Sequence, residues 1–130
     1  MNRIAGYFMK AAVLYALAGM ILGIVMAGSH DFGVSSVHAH LSLLGWASLA
    51  ICGLYYQLVP QESEMGAAKF HFWLVNSGVV ILTASVGLIA SGFAVAEAAA
   101  AVGSLVLLAS MILFGYIVFT AKEAGQVLQR

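Results

Sequence analysis

Two histidines two positions apart, His38 and His40, are the residues of this 130-residue chain best suited to bind a metal or a cofactor. They begin a long apolar segment, where an ionisable side chain is costly and therefore marks a candidate functional site. On an α-helix, side chains two positions apart diverge by about 200°, so each imidazole would serve a different neighbour. In an extended segment both would share one face and could chelate a single copper or zinc ion.

Small residues follow the two histidines along the predicted helix. Ser42 and Gly45 lie four and seven positions beyond His38, and Ala47 lies seven positions beyond His40. Because seven residues make about two helical turns, the helix face below each imidazole would carry only small side chains. This pattern predicts room for a flat macrocycle, bound by the two histidines and these three small residues. The alternative interpretation is a pair of interfacial histidines that satisfy the start of the helix.

The other two histidines are weaker candidates. His30, beside Asp31 in the preceding loop, could supply a nearby second metal ligand, although a loop histidine is usually solvated. His71 lies beyond the end of the predicted helix at Pro60. Because a helix from His40 to Pro60 rises about 30 Å, His71 is not expected to share a cofactor with the pair.

Four apolar stretches, each near the roughly 20 residues that a membrane-spanning helix needs, must position these side chains. The chain is 63% hydrophobic and 8% charged, which excludes an ordinary soluble domain. Two-residue alternation is absent, which excludes a transmembrane barrel. We therefore predict an all-α, four-helix transmembrane bundle in one domain over residues 1–130, with spans at about 7–27, 37–59, 70–91 and 95–120.

The charge balance and the cysteine content exclude further classes. Five basic and five acidic residues cancel, so no excess charge is available to bind nucleic acid. The single cysteine, Cys52, supports neither a disulfide framework nor a cysteine-based zinc or iron–sulfur site.

The distribution of basic residues predicts the orientation of the spans. All five lie on one side of the alternating topology: Arg3, Lys10, Lys69, Lys122 and Arg130. By the positive-inside tendency, both termini are cytoplasmic in a bacterial-type inner membrane, with the His38/His40 pair near the outer face. An aromatic belt is expected on the cytoplasmic side, made of Tyr55, Tyr56, Trp73, Tyr116 and Phe119.

Small and polar residues inside the spans are expected to serve helix packing. Pairs at four-residue spacing let helices approach closely in lipid: Gly19 with Gly23, Gly87 with Ser91, and Ala99 with Gly103. Asn76 and Ser77 are expected to form hydrogen bonds between helices.

The segment over residues 38–60 resembles a helix of a known family. It carries His38, His40, Gly53 and an aromatic-rich ending closed by Pro60. This pattern is similar to the tenth transmembrane helix of subunit I of the heme-copper oxidases and their nitric oxide reductase relatives. That helix has a His-x-His near its outer end, a glycine about four turns later and a final proline. The sequence from Tyr55 to Pro60 also resembles the end of the corresponding helix in the reductases.

The resemblance implies a cofactor and a function. In the family, the first histidine is an axial ligand of the high-spin heme and the second of the low-spin heme. It therefore implies that His38 and His40 bind heme b, for electron transfer or for binding of a diatomic gas such as O2 or NO. Family members have twelve core helices in three arcs of four, so this chain would correspond to one arc. It contains no counterpart of the family's copper-ligand histidines or cross-linked tyrosine, so a complete oxygen or nitric oxide reductase is not expected.

Two alternative functions and the assembly complete the interpretation. The same histidines could carry copper in a copper-handling or oxidase-assembly membrane protein, or the chain could be a structural subunit without a cofactor. If each heme takes two imidazoles, divergent histidines require ligands from two subunits. A homotrimer, with His38 of one chain facing His40 of the next, would restore twelve helices. In a dimer, His38 would pair with His38, leaving His40 free or paired with His30. Membrane lipid is the other expected partner, and the electron-transfer partner is unspecified.

Overall fold

The computed structural model describes residues 1–63 and 66–121, and within them every regular element is a helix. Lys122 and Arg130, which contributed to the predicted orientation, lie outside the described residues. The elements in chain order are α1 (Arg3–Ser29), α2 (Ser35–His40), a π-helical segment (Leu41–Ser48), α3 (Leu49–Leu58), α4 (Pro60–Ser63), α5 (Gly66–Ala90), a 3₁₀ turn (Ala94–Ala96) and α6 (Glu97–Thr120).

Four of the helical stretches are long and apolar enough to cross a membrane. They are α1, the continuous stretch from α2 through α3, α5, and the 3₁₀ turn with α6. The prediction of an all-α transmembrane bundle is therefore confirmed. Only 17–33% of the residues in their most apolar windows are buried, so most apolar side chains face outward. In water this apolar surface would be exposed at a large cost in free energy, whereas lipid or further subunits can cover it.

Local sequence signals set the ends of the first two spans. Asn2 caps α1, because its Oδ1 accepts a hydrogen bond from the backbone N–H of Ala5 at 2.9 Å. His30 ends α1 in the left-handed conformation, with φ of 55°. The second span ends at Leu58, before Val59 turns the chain and Pro60 begins the short α4.

The spans pack mainly against their neighbours in sequence. α1 lies along the second span over most of its length, α5 lies along α6, and the second span contacts α5 more sparingly. Small residues bring the backbones together: a Cβ placed on Gly103 of α6 would lie 2.8 Å from the backbone nitrogen of Leu82 in α5. The four spans therefore form two tightly packed pairs, α1 with the second span and α5 with α6, and α5 joins the two pairs.

Candidate functional site

The imidazole of His38 is directed onto α1. Its Nδ1 lies 2.8 Å from the backbone carbonyl oxygen of Gly19, and the side chain is half-buried. The ring lies over Gly23, where an added Cβ would be 3.1 Å from Cε1. We name Gly19 and Gly23, against which the imidazole of His38 packs, the His38 seat. A larger side chain at Gly23 would displace the ring.

His40 is held by its own helix. Its Nδ1 lies 2.6 Å from the backbone carbonyl oxygen of Ser36, one turn earlier, and 3.4 Å from the Ser36 hydroxyl. The His40 side chain is half-buried. Both histidines belong to the α-helical stretch α2, so the expected divergence of their side chains holds.

These contacts assign the tautomer of both imidazoles. A carbonyl oxygen can only accept a hydrogen bond, so Nδ1 of each neutral histidine carries the proton and donates it. The lone pair of each Nε2 is left to accept or to coordinate. No hydrogen bond reaches either Nε2 from the part of the chain that the structure describes. Histidines that bind metals are typically oriented in this way, with the second ring nitrogen donating to a backbone carbonyl.

A π-helical segment of eight residues begins immediately after His40. Such segments are rare, usually short, and often occur at functional sites. The Ser48 hydroxyl follows the same wide spacing, donating to the carbonyl of Leu43 five residues earlier at 2.9 Å. A π turn contains more residues than an α turn, so seven residues no longer make two turns. The segment therefore changes which side chains lie beneath each histidine.

The three small residues of the predicted site have different surroundings. Ser42 faces α1, where its Oγ would lie 3.2 Å from a Cβ placed on Gly19, so it borders the His38 seat. Gly45 is buried against Tyr15: an added Cβ would be 2.6 Å from the Cβ of Tyr15. Within this chain, Tyr15 therefore fills the space that Gly45 leaves. Ala47 is half-buried in the π-helical segment.

The other histidine at this end of the spans, His30, is exposed. It lies at the end of α1, and the neighbouring Asp31 carboxylate accepts a hydrogen bond from the backbone N–H of Gly33 at 2.9 Å. Within residues 1–63 and 66–121, no group of three or more histidine, cysteine or acidic side chains is placed to hold a bare metal ion.

A second histidine cluster lies at the opposite end of the spans. His71 is 1% exposed, and its Nδ1 shares a 2.9 Å hydrogen bond with the hydroxyl of Tyr56. The imidazole stacks on Phe114 with 5.2 Å between ring centroids and also contacts Phe8. We name Phe8, Tyr56, His71 and Phe114, one residue from each span, the inner aromatic cluster. The expectation of Tyr56 in an aromatic belt was wrong, because its side chain is fully buried.

The sequence interpretation missed both the His38 seat and the inner aromatic cluster. The spacing of Gly19 and Gly23 was the available signal for the seat. The same spacing is typical of ordinary helix packing, which is how the sequence analysis interprets it. No local pattern joins Tyr56 to His71, because their contact depends on how two spans pack. The expected hydrogen bond between helices at Asn76 is confirmed: its Oδ1 accepts from the Tyr15 hydroxyl at 3.1 Å.

A comparison with known proteins finds a relationship with an oxidase subunit. Over 72 residues the chain is 35% identical to the cbb3-type cytochrome c oxidase subunit CcoN1 of Stutzerimonas stutzeri, a match that covers 51% of this chain. The chain spans only 15% of the length of that subunit. No protein-family model matches the chain, and no solved structure does. The match supports a relationship with the heme-copper oxidase subunit I that the His38–Pro60 segment resembles, and with it a multi-pass membrane protein.

Proposed function

We propose that this chain is a heme b-binding membrane protein that transfers electrons or binds a diatomic gas, with His38 and His40 as axial ligands. The observation that carries the proposal is the state of the two imidazoles. Each holds its Nδ1 on a backbone carbonyl and leaves Nε2 without a partner among the described residues. The similarity to an oxidase subunit supports heme as the group bound.

The residues at the site fit such a group. The neutral tautomer presents an Nε2 lone pair, which is the form of histidine that coordinates iron. Heme bound there would supply a one-electron redox centre or a site for a gas ligand. The chain itself orients His38 through the Gly19 carbonyl and His40 through the Ser36 carbonyl, as backbone carbonyls commonly orient metal-binding histidines.

The divergence of the two imidazoles supports an assembly in which subunits share the site. The chain has four histidines, and apart from the pair these are the exposed His30 and the buried His71 at the far end. A ligand from a second copy would therefore complete each bis-imidazole site. We propose a homotrimer, with His38 of one chain facing His40 of the next, and a dimer as the runner-up. The exposed apolar faces of the spans suit such an assembly.

The same proposal gives the orientation in the membrane. Arg3, Lys10 and Lys69 all lie at the end opposite the histidine pair, which supports cytoplasmic termini in a bacterial-type inner membrane and a site near the outer face. The resemblance to a single arc of the oxidase core is part of this proposal.

An optical spectrum of the full chain, purified after expression with added heme precursor, tests the cofactor. We expect a Soret band with the wild type and with His30→Asn, a control whose residue type also tolerates the left-handed backbone. His38→Gly and His40→Gly should each lose heme and regain it when imidazole is added, because free imidazole can replace a ligand but not a merely structural side chain. Stoichiometric copper binding without heme absorbance would overturn the proposal in favour of the copper-handling alternative. The absence of both would leave a structural subunit.

Native mass spectrometry of the heme-loaded protein tests the assembly. We expect a mass of three chains with heme retained. A monomer with two protein ligands to its heme would contradict shared sites, whereas a heme-bearing dimer would contradict only the choice of three.

A further inference from the structure

A large cavity lies between α1, α5 and Pro60, at the end of the spans remote from His38 and His40. Its volume is about 800 Å³, within the range of sites that bind small molecules. It is lined by Asn2, Arg3, Ile4, Tyr7, Lys10, Ala11, Leu14, Pro60, Lys69, Phe72 and Trp73. None of the residues assigned to the proposed heme site lines it, so it needs an explanation of its own.

One face of α1 forms the first wall of the cavity. Arg3, Tyr7, Lys10 and Leu14 recur at intervals of four, three and four residues, which places them along a single face. Because each helical residue rises about 1.5 Å, Lys10 lies about 10 Å deeper in the span than Arg3. The wall therefore carries two cations and then becomes apolar, as Leu14 is 68% exposed.

The first turns of α5 form the opposite wall. Lys69 and Trp73 are four residues apart on one face, and Phe72 lies beside them. Trp73 is 69% exposed, and its ring contacts that of Phe72 with 5.4 Å between centroids. This wall repeats the order of the first, with a cation at the end of the span and aromatic surface further in.

The charged side chains that the structure describes in the cavity lining have one sign. Three of the chain's five basic residues are among them, and none of these described side chains is a carboxylate. Among the side chains that the structure describes, no acidic group forms an ion pair with Arg3, Lys10 or Lys69. Cations gathered around an apolar cleft at the edge of a membrane span match a molecule with an anionic head and hydrocarbon tails.

We propose that this cavity is a binding site for one anionic diacyl phospholipid. The phosphate group lies among Arg3, Lys10 and Lys69, and an acyl chain follows the exposed side chains of Leu14 and Trp73. The two walls supply charge at the level of the headgroup and apolar surface at the level of the tails, in the order that a phospholipid requires. This site is independent of the proposed heme site, and either could exist without the other.

Lipid retention in native mass spectra of the full chain tests the charge argument. The probes are dioleoyl phosphatidylglycerol, which is anionic, and dioleoyl phosphatidylcholine, which is zwitterionic. The double variant Lys10→Gln with Lys69→Gln removes two cavity cations, and Gly28→Asp with Ser35→Asp adds two carboxylates at the exposed opposite end of the spans, for the same change in net charge. We expect phosphatidylglycerol affinity to fall about tenfold or more in the first variant and to stay within about twofold in the second.

Quenching of Trp73 fluorescence tests the location. The chain has two tryptophans, so Trp46→Phe leaves Trp73 as the only emitter, and Trp73→Phe leaves Trp46. Each variant is placed in phosphatidylcholine vesicles that contain a small fraction of brominated phosphatidylglycerol or brominated phosphatidylcholine. We expect brominated phosphatidylglycerol to quench Trp73 more strongly than its zwitterionic counterpart, and Trp46 equally with both.

Three results would overturn the proposal. Equal loss of phosphatidylglycerol in both double variants would indicate attraction by overall charge. Equal quenching of Trp73 by both brominated lipids would indicate ordinary bilayer lipid. Displacement of the bound lipid by glycerol phosphate at equal concentration would indicate a site for a free phosphate compound. Circular dichroism of each variant confirms that a lost signal does not reflect lost helix.

Discussion

The two ends of the spans hold histidine in opposite ways. At one end, His38 and His40 are half-buried, donate from Nδ1 to backbone carbonyls and make no hydrogen bond through Nε2 to the described residues. At the other, His71 is buried, hydrogen-bonded to Tyr56 and stacked on Phe114. The backbone carbonyls fix a ring without covering its second nitrogen, whereas the aromatic side chains enclose the ring. The same residue type is thus held by backbone carbonyls in one place and enclosed by aromatic side chains in the other.

The difference also appears in how each end is built. Around His38 the neighbours are glycines and a π-helical segment, which bring backbones close and add little side-chain volume. Around His71 one aromatic or imidazole ring comes from each span, so the four helices meet there. The inner aromatic cluster therefore joins all four spans, whereas the His38 end brings two spans together through their backbones.

The largest expected effect separates the two kinds of histidine by heme affinity. His38→Ala and His40→Ala should each weaken heme binding about 100-fold or more, since loss of even an outer-shell partner of a metal ligand costs about 10- to 100-fold. His71→Phe should leave heme affinity within about threefold, because His71 lies at the far end of the spans. Heme titration followed by the Soret band measures all three. A loss in His71→Phe equal to that in His38→Ala would refute the contrast.

The next effect concerns stability at the outer end. Gly45→Ala should lower the free energy of unfolding by about 1–3 kcal/mol, because the new Cβ would overlap the Cβ of Tyr15 at 2.6 Å. Gly115→Ala is the matched control: nothing lies within 4 Å of its added Cβ, so it should be neutral or slightly stabilising. Unfolding in a detergent titration compares the two variants. Equal midpoints would show that α1 and the π-helical segment are not in close contact.

A smaller stability effect is expected from the inner aromatic cluster. Tyr56→Phe removes the hydroxyl that pairs with the buried His71 and should cost about 1–2 kcal/mol, because an imidazole nitrogen is left without a partner. Adding His71→Phe to this variant should recover part of the loss, since no polar group then remains unpaired. A double-mutant cycle in the same detergent titration measures the coupling. Strict additivity would mean that the pair contributes nothing to stability.

Carbon monoxide should produce almost no change in the spectrum of the reduced, heme-loaded protein. If two imidazoles occupy both axial positions, the gas has no open position on the iron. A Soret shift in the wild type would instead assign gas binding to the protein and leave one histidine uncoordinated.

Oxygen consumption with an artificial electron donor should also be negligible. The chain lacks counterparts of the copper-ligand histidines that the resemblance would require for a reductase. An oxygen electrode with the heme-loaded protein measures this directly. Turnover of tens per second, a rate typical of enzymes, would contradict it.

The sequence alone allowed the prediction of most of the fold and part of the site. Four apolar stretches of membrane-spanning length leave the helix as the only regular element that satisfies the backbone in lipid. The spacing of His38 and His40 required their divergence wherever the segment is α-helical, and the structure keeps α2 helical there. The expectations for Gly45 and Ala47 assumed that the α-helical period continued beyond His40. It does not, because the π-helical segment begins at Leu41.

The tertiary structure alone determined the contacts between residues far apart in the chain. The Gly19 carbonyl that fixes the His38 tautomer is 19 positions away, and Tyr56 and His71 belong to different spans. The cavity beside Lys10 and Lys69 likewise exists only because α1 and α5 leave a gap. Composition and periodicity determine which segments enter the membrane, since burial of apolar surface depends on each segment by itself. Which nitrogen donates, and to which carbonyl, depends on how two segments approach, and no local pattern contains that information.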